Sequence, residues 1–214
     1  MTSVALLHSD PSLGRRLADT IAAAPGFSVA GVAGNLPALR GLFAQAVPEV
    51  LLVDVMLPSA HVSAVLNDLR HNALEAAPRV LVLAVSADDP RVMDALRHGA
   101  DGYFAHAHSL LSLPAAVEQL LRGESTMTPQ IARQLKAHFE TGQLSDADRR
   151  LLQWTAEGFL IGEVARALQL SAHAVGLRIR ALYRQLQAEV RARPLAQEMV
   201  GTLRCAHPTG LRES

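Results

Sequence analysis

Apolar and polar positions alternate along the chain in blocks. Five short apolar runs have the length of buried strands: Val4–Leu7, Ser28–Ala33, Val50–Val53, Val80–Val85 and Gly102–Ala105. Segments with helical spacing separate them. Asp10-Pro11 reads as an N-cap and first helical position, opening a helix to about Ala24, where Pro25-Gly26 breaks it. Leu36–Ala46 carries apolar residues at 36, 39, 42, 43 and 46. Ser63–Asn72 is a third helix. Asp89-Pro90 repeats the cap signature and opens a fourth, stopped at Gly99. Ser112–Arg122 is the fifth, stopped at Gly123. Strands alternating with helices predict a parallel sheet covered on both faces, with its site at the carboxyl ends of the strands.

The pattern then changes to helices alone. Pro129–Glu140 is helix-compatible within a connector, 124–143. Ser145 caps a helix through Glu157, ended by Gly158, and Gly162–Leu168 is the next. The turn Gln169-Leu170-Ser171 leads into Ala172–Leu186, and Pro194 is expected to open a fourth helix. Two helices joined by a short turn, the second basic, fit a helix-turn-helix. The expected division is 1–123, 124–143, 144–203 and a disordered tail, 204–214.

Composition adds a partition of charge. Residues 1–143 hold 10 basic and 13 acidic side chains, and 144–214 hold 10 and 7, so a net −3 front precedes a net +3 back. A basic C-terminal part suits a polyanion. Cys205 is the only cysteine, which excludes an internal disulfide and fits a reducing, cytoplasmic setting. No basic leader and no apolar run of about 18 residues is present, so neither a signal peptide nor a membrane span is expected. Gly31 and Gly34 lack the third glycine of a dinucleotide fingerprint. No nucleophile–base pair stands out beyond Asp54, and an enzyme is not expected. Trp154 takes an apolar helix position and reads as core.

Three stretches, LLVDVMLP, RVLVLAVSADD and GADGYF, resemble the receiver domain of bacterial two-component response regulators. The stretch LSDADRRLLQWTAEGFLIGEVARALQLSAHAVGLRIRALYRQL resembles the LuxR-type helix-turn-helix. Their order is that of the NarL/FixJ family, over nearly the whole chain. The resemblance implies a flavodoxin-like, doubly wound five-stranded parallel sheet, joined by a linker helix to a four-helix DNA-binding domain. It also implies phosphorylation by a kinase at the aspartate after the third strand, here Asp54. Two acids after the first strand would hold a divalent metal. A hydroxyl after the fourth strand and a lysine after the fifth would complete the pocket. The chemistry is positioning plus compensation of developing negative charge.

The sequence departs from that pattern almost everywhere except Asp54. The two acid positions are His8 and Ser9, and Asp10 falls one place later, where a helix cap is expected. Ala84 stands at the hydroxyl position and His106 at the lysine position. Tyr103 is the switch aromatic, without its usual hydroxyl partner. A degenerate pocket is therefore expected, with magnesium binding lost or weak and no cofactor. Asp54 would pair with His106 or His8. A minor reading makes His8, Asp54 and His106 a transition-metal site, with His108 nearby and His61 as a possible fourth group.

The helix-turn-helix is altered too. His173, Val175, Arg178, Arg180 and Arg184 are its candidate DNA-binding residues, with Arg178 assigned to base edges and Arg180 and Arg184 to phosphates. Ala174, Gly176 and Leu177 replace a hydroxyl, a charge and a polar group of the family pattern. Two functions follow. One is a homodimeric, DNA-binding transcription regulator acting without ordinary phosphorylation. The other is an interaction module that controls another regulator without reading DNA. A ligand- or metal-sensing regulator is a variant of the first, and a sensor kinase remains among the candidate partners.

Overall fold

A computed structural model describes residues 1–57, 62–66, 69, 77–106, 109–139 and 144–204, the last twelve of these as backbone alone. Strands β1 (Thr2–Leu7), β2 (Phe27–Ala33), β3 (Val50–Asp54), β4 (Arg79–Ala84) and β5 (Gly102–Ala105) form one parallel sheet in the order β2-β1-β3-β4-β5. The helices between them are α1 (Pro11–Ala22), α2 (Leu36–Gln45), α3 (described at 62–66 and 69), α4 (Pro90–His98) and α5 (Leu113–Leu121). The remainder of the expected third helix lies outside the described residues, as does His61 of the loop before it.

Successive strand residues point to opposite faces, so each strand feeds two cores. Val4, Leu6, Leu52 and Leu83 pack with Leu17, Ile21, Val117 and Leu120 of α1 and α5. Ala5, Leu7, Val53 and Val82 face the other way, toward Val92 and Leu96 of α4. That second core does not stop at the sheet. It continues through Ile131 and Leu135 into Leu151, Leu152, Ile179, Leu182 and Leu186.

Those residues lie on α6 (Pro129–His138), α7 (Asp146–Glu157), α8 (Ile161–Ala167) and α9 (Ala172–Arg204). Capping follows the sequence signals. The Asp10 carboxylate accepts from the backbone N–H groups of Ser12 and Leu13, and Asp89 accepts from Arg91. Thr128 and Ser145 open α6 and α7 in the same way. Gly99 and Gly158 end their helices at φ of 121° and 100°, which a side chain would strain.

One expectation is overturned. The helix expected to begin at Pro194 is the continuation of α9, which runs unbroken to Arg204. A proline withholds one backbone donor, here from the carbonyl of Val190, and α9 spans that position without restarting. Among the described residues, three helices follow α6 where four were expected. Residues 205–214, with Cys205, lie outside the described residues.

Candidate functional site

Asp54 ends β3 at the carboxyl edge of the sheet and is 3% exposed. Both oxygens of its carboxylate accept from the protein. Oδ2 accepts from the Ser9 hydroxyl at 2.5 Å and the Ser9 backbone N–H at 3.2 Å. Oδ1 accepts from the Met56 N–H at 2.8 Å. These donors offset the cost of burying a lone charge. Ser9 is therefore a partner of Asp54 in its own right.

The expected histidine pairing takes a weaker form. His8 Nδ1 lies 3.6 Å from Asp54 Oδ2. The same nitrogen accepts the Asp10 N–H at 3.0 Å, so it presents a lone pair and the ring proton sits on Nε2. His8 thus stands beside Asp54 without donating to it. His106 is half-buried and continues the β4–β5 ladder through its N–H to the Ala84 carbonyl, and no bond joins it to Asp54 among the described residues. His8, Asp54 and His106 do not form a metal-holding group, nor does any other trio of His, Cys, Asp or Glu among the described residues. His108 lies outside them. Asp10 is the helix cap, and its two backbone donors hold its carboxyl below the usual range.

Ala84 is buried and brings only a methyl group. Tyr103 points inward. Burial pushes its hydroxyl up in pKa, and the nearby Thr126 and Thr128 pull the other way. Arg91 was not singled out by the sequence. It is clamped to Asp89 at 2.9 and 2.6 Å and brings a cation into range of Asp54.

The second candidate region is the N-terminal half of α9. Val175, Ile179, Leu182 and Leu186 fill the core with α7 and α8. A different stripe, His173, Gly176, Arg180, Tyr183 and Gln187, spans an arc of about 80° at 100° per residue. All five meet the sheet domain or the linker. His173 Nδ1 lies 3.0 Å from Glu124 Oε1. The Ser125 N–H donates to the Gly176 carbonyl at 3.1 Å. The Tyr183 hydroxyl donates to the Thr126 carbonyl at 2.7 Å. The Gln187 amide donates to the carbonyls of Leu96 and Ala100, at 2.9 and 3.0 Å, at the end of α4. Arg180 forms an ion pair with Asp101, which also accepts the Val80 N–H at 2.7 Å and lies 3.9 Å from Arg79.

Two of the candidate DNA contacts are therefore corrected for this arrangement. Val175 is fully buried in the helical core, where an apolar side chain belongs. Arg180 is 6% exposed, turned into the sheet domain by its pairing with Asp101. Burial pulls its pKa down, aided by Arg184 and Arg79. Arg178 points away, donating to Asp148 at 2.9 Å, and Arg184 is exposed. Gly176 has a local reason: a Cβ there would stand 3.0 Å from the Glu124 Cβ, so glycine permits the linker's close approach. For Glu124, burial favours the neutral acid, but Arg122 and His173 outweigh it and hold the carboxyl low.

No family model matches the chain. The sequence is 27% identical over 198 residues to the nitrate/nitrite response regulator protein NarL of Escherichia coli K12, covering 88% of this chain and 91% of that protein. It is 27% identical over 183 residues to the DNA-binding transcriptional activator DevR/DosR of Mycobacterium tuberculosis, covering 82% and 83%. The Salmonella typhimurium RcsB response regulator has the same fold, with a TM-score of 0.53 and 20% identity over 87% of this chain and 93% of that one. An RcsB–DNA complex gives a TM-score of 0.52 and 19% identity over 87% and 92%. Among the described residues, no helix is long and apolar enough to cross a membrane. In sequence, and in its five-stranded parallel sheet followed by a set of helices, the chain is similar to response regulators of the NarL type.

Proposed function

We propose that the chain is a homodimeric, DNA-binding transcription regulator whose receiver-like domain works without ordinary aspartyl phosphorylation. Residues 1–123 form the receiver-like domain, 124–143 the linker and 144–203 the DNA-binding domain. The observation that carries this reading is the engagement of Asp54. Both its oxygens accept from the protein, and Ser9 stands where the family has a metal-binding acid. A hard divalent ion needs several oxygen ligands. Here one carboxylate faces the crevice and Asp10 is turned to its helix, so the residues do not fit the ion. Ala84 and His106 offer no hydroxyl and no lysine to grip a phosphoryl group. DNA binding is supported by the similarity to a DNA-binding transcriptional activator and to a response regulator solved with DNA, and by Arg178 and Arg184, which keep positive charge on α9. The covered stripe of α9 implies that DNA binding follows release of α9 from the sheet domain.

The same cover also favours a second reading, an interaction module that controls another regulator. Genome-wide occupancy of the tagged protein separates the two: discrete peaks support the regulator, and none under any condition supports the module. For the phosphorylation claim, intact mass spectrometry after acetyl phosphate and magnesium treatment is expected to show no stable added phosphate. A substantial addition, absent in Asp54→Asn, would contradict it.

A further inference from the structure

Away from the Asp54 crevice, a cavity of about 280 Å³ opens between β5, α5 and the start of the linker. Its walls are mostly apolar, with Phe104, Ala116 and Leu120 among them. Ser125 also lines it. That residue is 8% exposed, and its hydroxyl is buried with no hydrogen-bond partner among the described residues. The hydroxyl sits 3.2 Å from the point where a Cβ on Gly102 would stand, and Gly102 is itself part of the wall. The glycine therefore leaves open the space around an unsatisfied polar group. A buried hydroxyl without a partner is destabilising, so the site is incomplete as a piece of core. The volume equals the share of about nine waters in the liquid and lies near the lower end of ligand pockets.

The cavity is also wired to α9. Three consecutive residues of its wall, Glu124, Ser125 and Thr126, are the ones that meet His173, Gly176 and Tyr183.

We propose that this cavity is an effector site for a small neutral molecule, an apolar body carrying one hydroxyl or amide that bonds the Ser125 hydroxyl. A serine hydroxyl both donates and accepts, so either group serves. The Glu124 carboxylate at the wall disfavours an anion, and it already has cationic partners in Arg122 and His173. An occupant presses on the segment that holds α9 and shifts the balance between docked and released helix by its differential affinity for the two. That regulatory consequence rests on the DNA-binding reading. The site itself does not.

The test is a titration of the full-length, nitrogen-15-labelled protein with benzyl alcohol and benzamide, with benzoate as the charged comparison and no DNA present. The expected result is saturable shifts at the amides of Gly102, Phe104, Ser125 and Thr126 with either neutral probe. Benzoate should bind at least tenfold more weakly. Ala116→Phe, which fills the cavity from α5, should weaken both neutral probes at least tenfold. Should that variant not fold, Ser125→Ala serves. It is expected to keep or raise the thermal midpoint, because it removes an unpaired hydroxyl, yet to weaken binding several-fold. No saturable shift with either neutral probe would overturn the proposal, showing a pocket filled by water only. Binding that the folded variants leave unchanged, or benzoate binding as tightly, would overturn it too.

Discussion

Replacing Asp101 by alanine is expected to free α9 from the sheet domain. Asp101 holds three groups at once: the Val80 N–H, Arg79 and the buried Arg180. Removing it leaves a guanidinium in a nearly dry site beside the like charges of Arg79 and Arg184. Taking away one member of a buried ion pair costs about 3–5 kcal/mol, because the other is left uncompensated. Arg180 has an escape short of unfolding, since α9 can swing away and return the cation to water. The cost should therefore appear as release. Hydrogen exchange should accelerate over residues 173–187 and at the end of α4, and affinity for DNA should rise at least tenfold. Arg180→Met removes the charge together with its need for a partner, and buried pairs are often replaceable by apolar groups of similar size. The double variant Asp101→Ala with Arg180→Met should dock again. If exchange over α9 is unchanged in Asp101→Ala, the ion pair does not hold the helix.

The second large effect is expected from restoring an acid beside Asp54. The Ser9 hydroxyl lies 2.5 Å from Oδ2, so the carboxylate of Ser9→Asp arrives in contact with Asp54. It also removes a donor. Two like charges in contact, one of them on buried Asp54, shift a pKa strongly and destabilise the fold, here by on the order of 1–3 kcal/mol. A divalent ion relieves that repulsion, and a ligand at a hundred times its Kd stabilises by about 2.7 kcal/mol. Ser9→Asp should accordingly melt below the wild type without metal and recover with millimolar magnesium. The wild type should not respond. An equal magnesium response in the wild type would show that Asp54 binds the ion without a second acid.

The fold was readable because its signals are local. The apolar run Val50–Val53 could only be a buried strand, and Asp10-Pro11 and Asp89-Pro90 marked helix starts through side-chain geometry spanning three residues. Pro194 misled for the same reason, since a local rule weighs the lost donor and not the helix around it. The residue types at His8, Ser9, Ala84 and His106 were legible, but the hydrogen bonds around Asp54 were not, because Ser9 and Asp54 meet only after β1 and β3 pair. Arg180 shows the limit most clearly. A basic residue on a recognition helix reads as a phosphate contact, and nothing near it in sequence announces Asp101. Gly176 likewise read as a loss of charge, whereas the close approach of Glu124 gives it a steric purpose.

Binding isotherms on duplex DNA most directly decide whether Asp54 controls the helix-turn-helix. Wild type and Asp54→Asn are compared, each with and without acetyl phosphate and magnesium, on a fragment recovered by occupancy mapping and on a random duplex. All four isotherms on the recovered fragment should superimpose, tighter than those on random DNA. Tightening of the wild type by acetyl phosphate, lost in Asp54→Asn, would contradict a receiver that works without phosphorylation.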